Sequence, residues 1–316
     1  MQAERAGVIT PDGVRLHVET AGSPDAPVTV VLAHGWTCST RSWHHQFAGL
    51  PGVLGSDGVR VVAYDHRGHG RSDAAPDGTT RIEQLADDLV TVLDEVAPSG
   101  PVVYAGHSMG GMTLMALADQ RPELFGSRIV GAALVSTSSG QMTSRAFGLP
   151  ARLDGAAAVV APRAMNLAGA RMEKRRKPAV VQAEQEAVRA WRQVASTRLR
   201  RPALKQLVFG KKVDPAEVDV LLSDLEVLPG RSFSGFFEAI TQHDLGHALA
   251  VLDDIPVEVM HGTRDRLLPP RHANRIAQLI PSSRLWMYPG AGHMLMQERP
   301  RDVTHRLASL ARKAVA

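Results

Sequence analysis

The chain has 316 residues, 44% hydrophobic and 22% charged, ordinary proportions for a globular protein with a large core. Its one cysteine, Cys38, excludes an intramolecular disulfide. No window approaches the roughly 20 apolar residues of a membrane-spanning helix. The first residues, MQAERAGVITPDG, lack an apolar core of the secretory type, so a cytoplasmic location is expected. Net charge is +4 but uneven: Arg171 to Lys212 holds thirteen Lys/Arg against three acids. A block this local predicts a solvated face or an anion-facing surface.

In chain order, VRLHVET (Val14–Thr20) alternates apolar and polar, the pattern of a half-exposed strand. TVVLAHG (Thr29–Gly35), VRVVAYD (Val59–Asp65), VVYAG (Val102–Gly106) and IVGAALVS (Ile129–Ser136) are short apolar runs ending in turn residues. Buried parallel strands read this way. Between them, Arg81–Val96 places Ile82, Leu85, Leu89, Val92 and Leu93 on one helical face. A second helix runs from Met109 toward Pro122. From 139 to 238 no strand run follows. Helix is predicted over Pro178–Leu207 and again over Val213–Leu225, the latter opened by Asp214 as N-cap and Pro215 at the first position. Strand signals return at Val257–Gly262 and Arg284–Gly290, each followed by a helix. The pattern is an α/β core, 1–138 and 239–316, carrying a helical insertion, 139–238.

Gly106-His107-Ser108-Met109-Gly110 places a serine where a buried strand meets a helix. In so sharp a turn the serine projects its hydroxyl into open space, and the positions two before and two after must be tiny. His107 cannot serve as its base, because adjacent side chains in a tight turn diverge. The base must come from elsewhere in space. His293, on the Gly-rich loop of YPGAGHMLMQERP, and Asp265, in HGTRDRLLPP, both follow strands. Loops after the carboxyl ends of strands are where open α/β sheets place ligands. No acid follows Ile129–Ser136, the alternative place for one. Acyl transfer also needs backbone N–H donors for the developing oxyanion; Met109 supplies one and Trp36 the other.

HGW (His34–Trp36), DHRGHGRSD (Asp65–Asp73), GHSMGG (Gly106–Gly111), GTRDRLLP (Gly262–Pro269) and GAGHMLMQERP (Gly290–Pro300) together resemble the α/β-hydrolase fold family. The motifs match its esterase, lipase and cofactor-free haloperoxidase branch. The resemblance implies a mostly parallel eight-stranded sheet flanked by helices, with the insertion as a helical cap after the sixth strand. It implies a serine esterase with Ser108 as nucleophile, His293 as base and Asp265 as acid, and differs from epoxide hydrolases and haloalkane dehalogenases, which carry Asp where this chain has Ser108. No cofactor is implied. A thioesterase, carbon–carbon bond hydrolase, lactonase or perhydrolase would use the same residues, and a ligand-binding protein on this scaffold is the reading of another class.

Other residues carry plainer expectations. His66 and His69 lack a matching Cys/His/Asp cluster, so no metal is expected there. His34 is expected to support the oxyanion loop, and Cys38 to be a small packed residue. Met109, Met294 and Met296 either line an apolar acyl pocket or pack the core. Asp154–Pro162 and Leu204–Gly210 suggest a hydrophobic acyl group. The expected partner is a small-molecule ester or thioester. EKRRK (Glu173–Lys177) suggests a solvated cap face, with peripheral contact to anionic lipid as the minor alternative. Nucleic acid is not expected, since no aromatics interleave the charge.

Overall fold

The computed structural model describes residues 4–141 and 201–316, Ala203 excepted. Eight strands form one sheet in the order β1-β2-β4-β3-β5-β6-β7-β8. They are β1 (Glu4–Ile9), β2 (Arg15–Ala21), β3 (Thr29–Ala33), β4 (Arg60–Tyr64), β5 (Val102–His107), β6 (Ile129–Val135), β7 (Val257–Gly262) and β8 (Arg284–Tyr288). β2 is antiparallel to both β1 and β4. The pairs from β4 through β8 are parallel.

The α-helices that flank and follow the sheet strands include α1 (His44–Leu54), α2 (Ile82–Val96), α3 (Met109–Gln120), α4 (Pro215–Val227), α5 (Gly230–Gln242), α6 (Arg271–Leu279), α7 (Leu295–Glu298) and α8 (Pro300–Ala314). None is long and apolar enough to cross a membrane.

The apolar runs predicted as buried strands are buried on both faces, because helices cover each side. Val31 and Ala33 of β3 and Val102 and Tyr104 of β5 pack toward α2 and α3. Their neighbours Val30, Leu32, Val103 and Ala105 pack toward α1 and α8. The predicted face of α2 is buried in full: Ile82, Leu85, Leu89, Val92 and Leu93. α4 begins as expected, with the Asp214 side chain accepting from Ala216 N–H at 2.9 Å and Pro215 in the first turn. The predicted helix Pro178–Leu207 lies outside the described residues up to 200, and residues 204–208 are helical.

Two features differ from the sequence pattern. β2 keeps its alternation, with Arg15 exposed and Glu19 half-buried on the polar face, but His17 on that face is buried. The turn 65–73 folds over it, with His17 N–H donating to Ser72 Oγ at 2.9 Å and Arg71 pairing with Glu19. The boundary at 238/239 falls inside α5, which continues unbroken to Gln242.

The same turn is locked by a fully buried arginine. Arg67 donates to both carboxylate oxygens of Asp88 on α2, at 2.5 and 2.7 Å, and to Asp12 at 2.7 and 3.0 Å. Removing one partner of a buried pair leaves an uncompensated charge, a cost of about 3–5 kcal/mol. Arg67→Ala is therefore expected to lower unfolding free energy in urea by that amount. A loss under about 1 kcal/mol would show that Asp88 finds other compensation.

Candidate active site

Ser108 stands between β5 and α3 with φ 50° and ψ −113°, a left-handed-side conformation that a residue with a Cβ adopts only under constraint. The constraint is visible. Ser108 N–H donates to Val135 O at 2.9 Å, and its carbonyl accepts from Gly111 N–H, Met112 N–H and the Thr137 hydroxyl. The flanking glycines are required by close approach: a Cβ on Gly106 would sit 2.5 Å from Gly110 C, and one on Gly110 would sit 2.4 Å from Ala33 O.

Asp265 and His293, from the loops after β7 and β8, meet with Asp265 Oδ2 2.7 Å from His293 Nδ1. Both residues are buried. The carboxylate is held on its other oxygen by the N–H groups of Leu267 and Leu268, at 3.0 and 2.8 Å. Asp265 makes no ion pair with Arg264 or Arg266; Arg266 instead donates to Gln206 O. Because a charged carboxylate only accepts, the His293 proton lies on Nδ1, and Nε2 is left with its lone pair.

Ser108 and His293 share one cavity of about 340 Å³, walled by Trp36, Met112, Leu204, Leu207, Val208, Leu221, Leu225, Phe233, Phe237, Ile240, Leu267 and Met294 among others. Ser108 Oγ makes no hydrogen bond to His293 among the described residues, although both line the cavity. The His34–Trp36 loop lies against the serine: a Cβ on Gly35 would stand 3.2 Å from Ser108 Cβ. Neither Trp36 N–H nor Met109 N–H donates to an acceptor among the described residues. Two unused amides beside the serine suit an oxyanion.

The sequence pattern of the Alpha/beta hydrolase family matches residues 30–306. The chain belongs to the alpha/beta hydrolase family. A bifunctional esterase/perhydrolase of Acinetobacter calcoaceticus is 39% identical over 104 residues, 33% of this chain and 35% of that protein. Epoxide hydrolase A of Mycobacterium tuberculosis is 36% identical over 138 residues, 43% of this chain and 39% of that protein. The chain thus matches less than half the length of these curated relatives. Among solved structures, a thermophilic esterase from Thermogutta terrifontis superposes with TM-score 0.74 over 99% of this chain and 100% of that one, at 21% identity, which speaks for the fold.

In this alpha/beta hydrolase, several supports of the site had no sequence signal. His107 Nε2 lies 3.0 Å from the carbonyl oxygen of His293. A carbonyl only accepts, so His107 is a donor that fixes the backbone of His293, and burial pushes its pKa well below the usual histidine range. His293 N–H donates to Val208 O at 2.7 Å, tying the same loop to the segment 204–210. Glu298 bridges them again, accepting from Gly292 N–H and Gly210 N–H, each at 2.8 Å. Burial pushes its carboxyl up to about 7, against the pull of those two donors. The Trp36 side chain is also employed, stacking on Phe233 at 4.8 Å and donating from Nε1 to Phe233 O at 3.1 Å.

The remaining expected residues resolve plainly. His34 Nδ1 donates to Gly35 O at 2.7 Å and its Nε2 accepts from His66 N–H at 3.0 Å, while burial lowers it to about 4. His66 and His69 bond to the carbonyls of His34 and Arg67. Cys38 is buried on the cavity wall, and burial raises its thiol. Of the three methionines, Met294 lines the cavity, whereas Met109 and Met296 pack in the core. Leu204, Leu207 and Val208 contribute to the cavity wall; Asp154–Pro162 and Glu173–Lys177 lie outside the described residues.

Proposed function

We propose that the protein is a serine hydrolase of small-molecule carboxylic esters with apolar acyl groups. One observation carries this reading: the Asp265–His293 pair, 2.7 Å apart, opens onto the same apolar cavity as the strained Ser108. Ser108 Oγ attacks the ester carbonyl and gives its proton to His293 Nε2. Asp265 holds the Nδ1–H tautomer and stabilises the imidazolium. The amides of Trp36 and Met109 receive the oxyanion. His293 protonates the leaving alcohol, then activates the water that releases the acid. No step calls for a metal or an organic cofactor.

A second depression, of about 260 Å³, favours a thioester on a phosphate-bearing carrier such as coenzyme A. Lys205, Lys211, Arg264 and Arg266 line it beside Phe209 and Gly210. Four cations around one depression attract an anionic group. Steady-state hydrolysis of p-nitrophenyl esters from acetate to palmitate, with one acyl-CoA, separates the readings. The cavity is at the small end of ligand sites, which span roughly 300–1,000 Å³, so the ester optimum is expected well short of palmitate. Preference for the acyl-CoA would favour the thioester reading. A folded protein inert toward every compound would overturn ester hydrolysis.

A further inference from the structure

Away from the cavity, one cluster of side chains has ligand chemistry that the reaction above does not use. His44 and His45 are the first two residues of α1, and their rings lie 3.9 Å apart at 38°. Successive helical residues project about 100° apart, so converging rings are not the default. Here both Nε2 atoms turn toward one oxygen. Glu217 Oε1, on α4, is 3.4 Å from His44 Nε2 and 2.9 Å from His45 Nε2. One ligand atom from each of the three residues lies within 4.8 Å of the others.

The proton count makes this arrangement informative. His44 Nδ1 is 2.8 Å from the carbonyl oxygen of Arg41. That carbonyl can only accept, so the ring's proton is on Nδ1, and a neutral His44 offers a bare lone pair at Nε2. The lone pair faces a carboxylate oxygen with no hydrogen between them. Two acceptors in that relation repel, and a cation between them turns the repulsion into shared coordination. The carboxylate is oriented for it: Glu217 Oε2 accepts from Gln297 Nε2 at 2.6 Å, leaving Oε1 for the imidazoles. A backbone carbonyl behind a histidine and an amide behind a carboxylate are the outer contacts that orient metal ligands. The spacing also fits. Bonds of about 2.0–2.1 Å at a tetrahedral centre put ligand atoms about 3.3 Å apart.

We infer that His44, His45 and Glu217 form a binding site for a divalent transition cation of the zinc type. Two imidazoles and one carboxylate suit such a metal and not magnesium or calcium. Glu217 is buried and both histidines are exposed enough for solvent entry. The cation staples α4, whose Leu221 and Leu225 wall the cavity, to α1 of the core. Through Gln297 it also reaches α7, the short helix just after His293. The positive end of α1 opposes added charge, so micromolar affinity is expected. No spacing motif marks the site, since His45 and Glu217 are 172 residues apart.

The site stands apart from the reaction proposed above, and its test does not use turnover. Full-length protein without a histidine tag is stripped with EDTA, dialysed, and titrated with zinc chloride by calorimetry near neutral pH. One equivalent is expected to bind with Kd in the range of about 1–10 µM, and the melting temperature to rise with zinc. Magnesium chloride should give no heat. His44→Asn and His45→Asn, at partly exposed positions, should each weaken zinc binding at least about tenfold with unchanged circular dichroism. Glu217→Gln should do the same where it folds. No stoichiometric binding would show that a proton on His44 fills the gap instead, and would overturn the site. Binding unchanged in both histidine variants would place the zinc elsewhere and overturn it equally.

Discussion

Ser108→Ala is expected to lower kcat toward the best p-nitrophenyl ester by roughly 10⁴–10⁶-fold, with KM changed little. The magnitude follows from what is lost. Without Oγ no acyl-enzyme forms, and only the Trp36 and Met109 amides and the cavity wall still favour the transition state. Such remnants retain roughly 10³–10⁴-fold over water. The fold should survive, because the elbow is held by backbone contacts: Ser108 N–H to Val135 O, and Gly111 and Met112 N–H to Ser108 O. Alanine bears the same Cβ at φ 50° as serine does, so strain is unchanged. Active-site titration with a nucleophile-directed phosphonate provides the second readout. It should label the wild type stoichiometrically and leave the variant unlabelled. Activity within tenfold of wild type would remove Ser108 from the chemistry.

The central sheet was legible because strands buried on both faces are mostly apolar, as β3 to β6 are; β7, VEVMHG, carries buried Glu258 and His261 and was still legible from its valines and closing glycine. β1 was not: ERAGVI carries two charges and a glycine, and it is held by pairing with β2 at the sheet edge. α1 was hidden by Gly49, Pro51 and Gly52, which lower helix propensity. Its contacts with α8 override that preference. α5 was hidden likewise by its glycines and serines, yet Phe236 buries fully and Phe233 and Phe237 meet Trp36. The three residues proposed for chemistry were readable because each lies in the turn that follows a strand. Their supports were not. His107 serves a carbonyl 186 residues away, and Glu298 serves two amides on different segments. Backbone amides and carbonyls leave no trace in residue identity, so a partner that acts on them is invisible until the chain is folded.

Asp265→Asn is the sharper probe of the proposed mechanism, because it changes a tautomer while keeping nearly every atom. Asp265 Oδ1 accepts from Leu267 and Leu268 N–H, and Oδ2 accepts from His293. Asparagine has one acceptor oxygen. Turned toward His293, it would set its own NH₂ against two backbone N–H groups, donors against donors in a buried place. The favoured rotamer keeps the oxygen on Leu267 and Leu268 and points NH₂ at His293 Nδ1. His293 must then accept at Nδ1 and carry its proton on Nε2, the atom that has to receive the serine proton. The expected result is a loss of about 10⁴-fold in kcat near neutral pH. Unfolding free energy should change far less, since the two amide contacts persist. Proton NMR of the imidazole would follow the same event directly, the downfield Nδ1–H signal of wild type vanishing in the variant. A loss under tenfold, or a retained Nδ1–H signal, would mean that Asp265 does not set the tautomer of His293. The acid's role would then be structural, resting on the Leu267 and Leu268 amides alone.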